Sequence, residues 1–234
     1  MLTTLKKDLR RFANLEKAKI LQRFFKTGKG QYGEADVFIG LTSEQIKLVA
    51  KKYSWLLLKD INDLLESSVH EDRVCALRIL VERYNKSDEK NKKEIFNFYL
   101  ANTKNINNWD LVDLSAPKIV GDFVFHNKEQ IKVLYKLAKS KNLWEKRIAI
   151  VATYFFIRKE SFEDVIAISE ILLNDTHDLI HKAVGWMLRE VGKKDGKILR
   201  DFLEKNYSDM PRTMLRYAIE KFPEDERKIW LRRK

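Results

Sequence analysis

Four side chains in this chain of 234 residues are of types that handle positive charge and phosphate: Trp109, Asp113, Arg147 and Trp186. An indole presents a π face that attracts cations. A carboxylate stabilises positive charge that develops beside it. A guanidinium fork matches a phosphate. Trp109 and Asp113 stand four residues apart in NNWDLVDL, so on a helix they share a face one turn apart. Arg147 follows Trp144 in NLWEKRIAI, and Trp186 lies in HKAVGWMLREVGKK. Plainer roles compete with these. Tryptophan at helical spacing usually belongs to a core, which is the expectation for Trp55, Trp144 and Trp230. Asp113 could pair with Arg147 and do no chemistry, or Arg147 could simply face solvent.

The elements that must position these residues read as helices. Apolar periodicity predicts helices over 3–14, 15–26, 43–53, 60–67, 70–84, 88–102, 108–125, 128–140, 143–158, 161–173, 177–193, 195–206, 210–221 and 224–232. Ser43, Asp60, Ser87, Asn108, Ser161 and Asp175 are the expected N-terminal caps. Residues 27–42 hold four of the eight glycines and read as an irregular loop. Its glycines at 28, 30 and 33 lack the Gly-Lys-Ser/Thr ending and preceding strand of a phosphate loop.

A degenerate repeat runs through the chain. Arg73, Asp110, Arg147, Lys182 and Arg216 recur at spacings of 37, 37, 35 and 34 residues, each ahead of a similar apolar stretch. A period in the thirties filled by two helices marks an all-α, HEAT-like α-solenoid of stacked helix pairs. Such a stack would make residues 1–234 a single domain with a long concave face. Three residues after each anchor stand Ala76, Asp113, Ile150, Gly185 and Ile219. A carboxylate among apolar positions must be paired or turned toward the concave face. Pro117 is expected to bend the helix that carries it. Residues from three successive repeats could then converge on that face.

Composition bounds the partners. With 44% hydrophobic and 34% charged residues the chain is globular, not disordered. The net charge of +12 suits a polyanion, and the basic residues are spread along the chain as a long binding face requires. Arg189, one turn from Trp186, together with Lys182, Lys193 and Lys194, could meet phosphates or merely favour a helix C-terminus. Cys75 is the only cysteine, which excludes an internal disulfide and suits a reducing compartment. No apolar run follows the basic start, which argues against a signal peptide, and the most apolar stretch, 148–157, is too short to span a membrane. His177 and His181 in HDLIH have no clear third metal ligand and read as a surface pair.

The segments NNWDLVD (107–113), GDFVF (121–125), NLWEKRIAI (142–150) and IHKAVGWMLREVGKK (180–194) resemble those of bacterial DNA alkylation repair glycosylases of the AlkD type, which are HEAT-like solenoids. FFKTGKGQYGEADVFIG (24–40) and HEDRVCALRIL (70–80) resemble the N-terminal half of a large branch of that family. The resemblance implies double-stranded DNA with cationic alkylated purines, N3-methyladenine and N7-methylguanine, as substrate. It implies Asp113 as the carboxylate that stabilises an oxocarbenium-like deoxyribose and positions water, and Trp109 and Trp186 against the lesion nucleotide. Arg147 would hold the backbone, and no metal or organic cofactor would be needed. It also implies lesion sensing from the backbone with little or no base extrusion. Some members have a tyrosine where this chain has Phe24, which leaves N-terminal DNA contacts by Gln31 or Tyr32 open. A monomer without an obligate protein partner, cytoplasmic and nucleoid-associated in a bacterium, is the matching expectation. Two rivals are a non-catalytic paralogue that binds unusual DNA structure and a protein-interaction scaffold.

Overall fold

The computed structural model describes residues 2–233, and they form an all-α, HEAT-like repeat protein. The one β-type pairing among them is an isolated parallel bridge between Val37 and Val69. Contacts divide the chain into two compact units, one ending at Ser115 and the other starting at Ala116. No helix among the described residues is long and apolar enough to cross a membrane.

The first unit contains α1 (Leu2–Arg10), α2 (Leu15–Phe24), α3 (Ser43–Lys52), α4 (Leu58–Leu65), α5 (His70–Lys86), α6 (Glu89–Ala101) and α7 (Trp109–Ala116). Helix α5 is its centre: α1, α3, α4 and α6 all pack on it. Its stretch Cys75–Ala76–Leu77 and the pair Ile79–Leu80 lose all solvent exposure, which is why this helix is apolar over more than one face. Residues 27–42 are irregular, as expected, but firmly held. Val37 exchanges backbone hydrogen bonds with Ser68 and His70, and the Asn14 amide donates to the Ile39 carbonyl. Gly40, at φ +85°, lies so close to the start of α2 that a Cβ would sit 2.1 Å from the Asn14 carbonyl oxygen.

The second unit contains α8 (Asp122–His126), α9 (Ile131–Ala138), α10 (Leu143–Ala152), α11 (Tyr154–Arg158), α12 (Glu163–Ile171), α13 (Asp178–Lys194), α14 (Gly196–Asn206), α15 (Arg212–Ala218) and α16 (Glu224–Arg232). Helix α13 is the hub here, in contact with α10, α11, α12, α14 and α15. The expected bend at Pro117 takes the form of a π turn over Pro117–Gly121. Proline has no N–H to give the preceding turn and its ring crowds a carbonyl there, so the helix widens.

The expected helices are all present, with two differences inside them: the π turn, and a break at Thr153 between α10 and α11. Caps are less well read from sequence. Helix α3 starts at Ser43 as expected, but its cap is Thr42, not Ser43, with Thr42 and Gln45 forming a capping box. Asp88, not Ser87, caps α6. His177, not Asp175, caps α13. Asp60 and Ser161 cap nothing: α4 and α12 follow Leu57 and Phe162, without a side-chain cap. Competing acceptors one residue apart are separated only by the local backbone dihedrals. Trp144 and Trp230 are core, but Trp55 is 55% exposed, against expectation.

The repeat register is visible in burial. Ala76, Ile150 and Ile219 have no exposure and Gly185 is buried, while Asp113 alone is half-buried. Gly185 has a packing reason: a Cβ there would stand 2.5 Å from the Met214 carbonyl oxygen, where α13 meets α15.

Candidate active site and nucleic-acid interface

In the first unit, α7 carries Trp109 and Asp113 one turn apart, both half-buried. Every residue around Trp109 is fastened. Asn108 has no exposure; its Oδ1 accepts from the Trp109 amide at 2.8 Å and its Nδ2 donates to Asp36 at 3.1 Å. Asn107 accepts from Arg73 at 2.8 Å. Asp110 accepts from His70 Nε2 at 2.7 Å. The indole itself stacks on Phe25, ring centroids 5.1 Å apart and planes 10° from parallel, and meets the edge of Phe24 at 6.0 Å. Phe25 in turn stacks on Phe38 at 4.8 Å.

The fastening comes from four consecutive ionisable residues in the first turn of α5, all buried: His70, Glu71, Asp72 and Arg73. Their roles are distinct. His70 lies between two carboxylates, with Nδ1 on Asp36 at 3.1 Å and Nε2 on Asp110 at 2.7 Å. Burial opposes its charge, but the two carboxylate hydrogen bonds win and carry its pKa up to about 9. The ring is therefore cationic at neutral pH, with both nitrogens donating. Arg73 Nη2 lies 3.3 Å from His70 Nδ1, but its bond is the 2.5 Å ion pair with Asp36, because two cationic donors repel. Burial works against the Asp36 charge too, yet His70, Arg73 and Asn108 hold its carboxyl below the usual carboxylate range. Glu71 accepts from three successive amides, Ile39 at 3.1 Å, Gly40 at 2.8 Å and Leu41 at 3.3 Å. It thereby organises the end of segment 27–42, in which Tyr32 is half-buried. Asp72 pairs with Arg10 and accepts from Ser67 at 2.8 Å.

Sequence reasoning missed this cluster as a functional support. Its one local signal is the run HEDR immediately before an apolar helix. The partners Asp36 and Asp110 lie 34 and 40 residues from His70, beyond any local pattern.

In the second unit, α13 brings together four of the expected residues. Lys182, Trp186, Arg189 and Lys193 follow at intervals of four, three and four, so they share one face. Ile180, Ala183, Val184, Met187, Leu188 and Val191 bury the rest of the helix. The stripe spans about 16 Å at 1.5 Å per residue. Trp186 lies 5.9 Å from the Tyr154 ring. The cations hold surface acids: Lys182 with Asp178 at 2.7 Å, Lys193 with Glu190 at 2.8 Å, and Arg189 with Glu190 at 3.1 Å and with Glu220. The Lys182–Asp178 pair is solvent-exposed and worth about 0–1 kcal/mol, whereas Arg189 and Glu190 are largely covered. Arg147 is placed differently: it is 5% exposed and donates to the Leu179 carbonyl at 2.7 Å, in the first turn of α13.

The HDLIH histidines serve α13. His177 Nδ1 caps the Leu179 amide at 3.1 Å, and His181 Nε2 bonds the Asp175 carbonyl. Among the described residues no group of three or more His, Cys, Asp or Glu could hold a metal ion.

The sequence matches the DNA alkylation repair enzyme family over residues 5–222. No functionally curated protein matches it. Among solved structures, the fold is similar to a predicted DNA alkylation repair enzyme from Enterococcus faecalis, with TM-score 0.71 and 14% identity over 91% of this chain and 97% of that one. It is also similar to AlkD2 from Streptococcus mutans, with TM-score 0.57 and 22% identity over 95% and 97% of the two chains. A third, smu.31 from Streptococcus mutans UA159, has TM-score 0.56 and 20% identity over 95% and 99%. At these identities the structures bear on the fold, whereas the family match spans nearly all of the sequence that builds α1 to α15. The chain belongs to the family of DNA alkylation repair enzymes.

Proposed function

We propose that this protein is a DNA glycosylase that hydrolyses the N-glycosidic bond of cationic alkylated purines, N3-methyladenine and N7-methylguanine, in duplex DNA. The observation that carries the reading is the half-buried Asp113, one turn from Trp109 on a helix whose first turn is fastened from three sides. A carboxylate on a helix anchored this firmly, one turn from an indole, suits a cation that exists only briefly.

The chemistry needs little else. The bond from deoxyribose C1′ to the purine nitrogen breaks, and its electron pair neutralises the charged base, so no acid need protonate the leaving group. Positive charge appears on the sugar. Asp113 stabilises that oxocarbenium-like state and orients a water whose oxygen bonds to C1′ while the water's proton passes to bulk solvent. Trp109 and Trp186 offer π faces to the cationic nucleotide, each worth about 0.5–2 kcal/mol. Lys182, Arg189 and Lys193 take backbone phosphates along the α13 stripe, and Tyr32 is a further backbone contact. Arg147, buried and bonded to the Leu179 carbonyl, acts on the backbone chiefly by setting the first turn of α13.

The test is release of both bases from methylated duplex DNA. Wild-type protein should release them, and Asp113→Asn should be slower by about 100-fold or more. If neither base is released while DNA binding persists, the enzyme reading fails and a non-catalytic DNA-structure-binding protein replaces it.

A further inference from the structure

The residues that flank Trp109 are not held independently. Asn107 is held by Arg73, Asn108 bonds Asp36 directly, and Asp110 is held by His70. Arg73 and His70 each bond a second group, and in both cases it is Asp36. Arg73 Nη2 lies 2.5 Å from Oδ1, and His70 Nδ1 lies 3.1 Å from Oδ2. Three routes from the start of α7 therefore meet on one carboxylate, which belongs to segment 27–42 and is only 6% exposed.

The chain around Asp36 is fixed as well. The Asp36 amide donates to the Gly33 carbonyl at 3.1 Å, and the neighbouring Val37 bonds Ser68 and His70 through the backbone. Ala35 takes a φ of +72°, a left-handed conformation that costs an alanine free energy and persists only where the surroundings hold it. Two residues after Asp36, Phe38 stacks on His70 at 4.5 Å and on Phe25 at 4.8 Å, and Phe25 stacks on the Trp109 indole. Segment 27–42 thus reaches Trp109 twice, through the rings and through the Asp36 carboxylate.

We infer that Asp36 is a positioning residue for excision: it fixes the backbone on both sides of Trp109 and so sets the indole and, one turn later, Asp113 against the lesion nucleotide. Its effect on rate rests on the glycosylase reading; its hold on Trp109 does not. A carboxylate is required there because two oxygens accept from three side-chain donors, two of them cationic. An amide has one acceptor oxygen, and its NH2 would turn a donor toward donors. A displacement of about 1 Å in a catalytic constellation can cost about 100-fold in rate. Duplex affinity, which phosphate contacts carry, should be nearly unchanged.

Two readouts on the full chain separate positioning from general support. Single-turnover release of N3-methyladenine and duplex affinity are measured for wild type, Asp36→Asn and Asp8→Asn. Asp8 is a carboxylate of similar burial, 7% exposed, whose partners are Arg11, Lys52 and Tyr53. Fluorine NMR of 5-fluorotryptophan-labelled protein follows Trp109, its signal identified by its loss in Trp109→Phe. Asp36→Asn should slow release by about 10–100-fold and shift the Trp109 signal. Asp8→Asn should lower Tm while rate and signal stay at their wild-type values. Asn108→Ser keeps a helix-capping oxygen but cannot reach Asp36. It should slow release and shift the signal in the same directions, and it supplies the comparison if Asp36→Asn does not fold. An unmoved Trp109 signal, or a release rate that stays at the wild-type value or falls equally in Asp8→Asn, overturns the proposal. If wild type releases no base, the glycosylase reading fails by itself, and the Trp109 signal alone decides whether Asp36 holds the indole.

Discussion

A charged histidine with 2% exposure is tolerated only where anions face it from both ring nitrogens, and Asp36 and Asp110 do so. Its pKa of about 9 lies above the unfolded value of 6.5, so the stability it contributes is fully present below pH 6.5 and is lost as pH rises through 9. The amount is on the order of 3 kcal/mol. Asp36 behaves oppositely: its carboxyl is depressed, so its share is present above 3.8 and is lost as pH falls from there. Urea unfolding of wild type and His70→Gln at pH 6, 8 and 10 checks this. The variant should be less stable by roughly 3 kcal/mol at pH 6, with the gap closing toward pH 10. A gap that does not change with pH would show that the ring is held neutral. On the proposed glycosylase reading, His70→Gln should also slow excision, because Asp110 adjoins Trp109, and the loss should exceed what unfolding at the assay temperature explains.

At the scale of elements, α7 and α13 use different means of presenting their candidate site residues. Helix α7 is short, and its first turn is fixed by side-chain bonds to α5 and to segment 27–42. Helix α13 is long, and its buried face fixes it by packing, which leaves Lys182, Trp186, Arg189 and Lys193 as a stripe. That packing depends on Gly185. A Cβ there would meet backbone, the Met214 carbonyl oxygen at 2.5 Å, as well as the Tyr217 Cβ at 2.6 Å. Gly192 differs: its Cβ would first meet Leu199 Cδ2 at 2.3 Å, the end of a side chain that can turn away. Gly185→Ala should therefore lower stability by about 1–3 kcal/mol, seen as a drop in Tm of about 2–4 °C per kcal/mol, and Gly192→Ala by less. The reverse order would mean that α15 shifts freely away from α13.

The whole molecule carries a net charge of +12, and its family places DNA as its partner. Counterion release then makes affinity fall with salt, by about 0.9 in the log–log slope for each phosphate neutralised. If the α13 stripe tracks a strand, Lys182→Ala with Lys193→Ala should make that slope shallower by about 2, equally for damaged and undamaged duplex. Filter binding over a series of salt concentrations measures it. An unchanged slope would leave the two lysines as partners of Asp178 and Glu190 alone.

Local pattern was enough for the helices, the repeat register and the pairing of Trp109 with Asp113, because a period of 3.6 residues is written within a few turns of chain. The family segments likewise lie in contiguous sequence. What needed the tertiary structure was the fate of charge and of single aromatic rings. Nothing near HEDR says that all four residues are buried, since the groups that make burial tolerable lie on α1, α7 and segment 27–42. Trp55 reads as core and is exposed, and Arg147 reads as a phosphate-binding or solvent-facing residue and is buried. Helix formation is decided by neighbours along the chain. The burial of a polar group is decided by whether distant residues supply its hydrogen bonds.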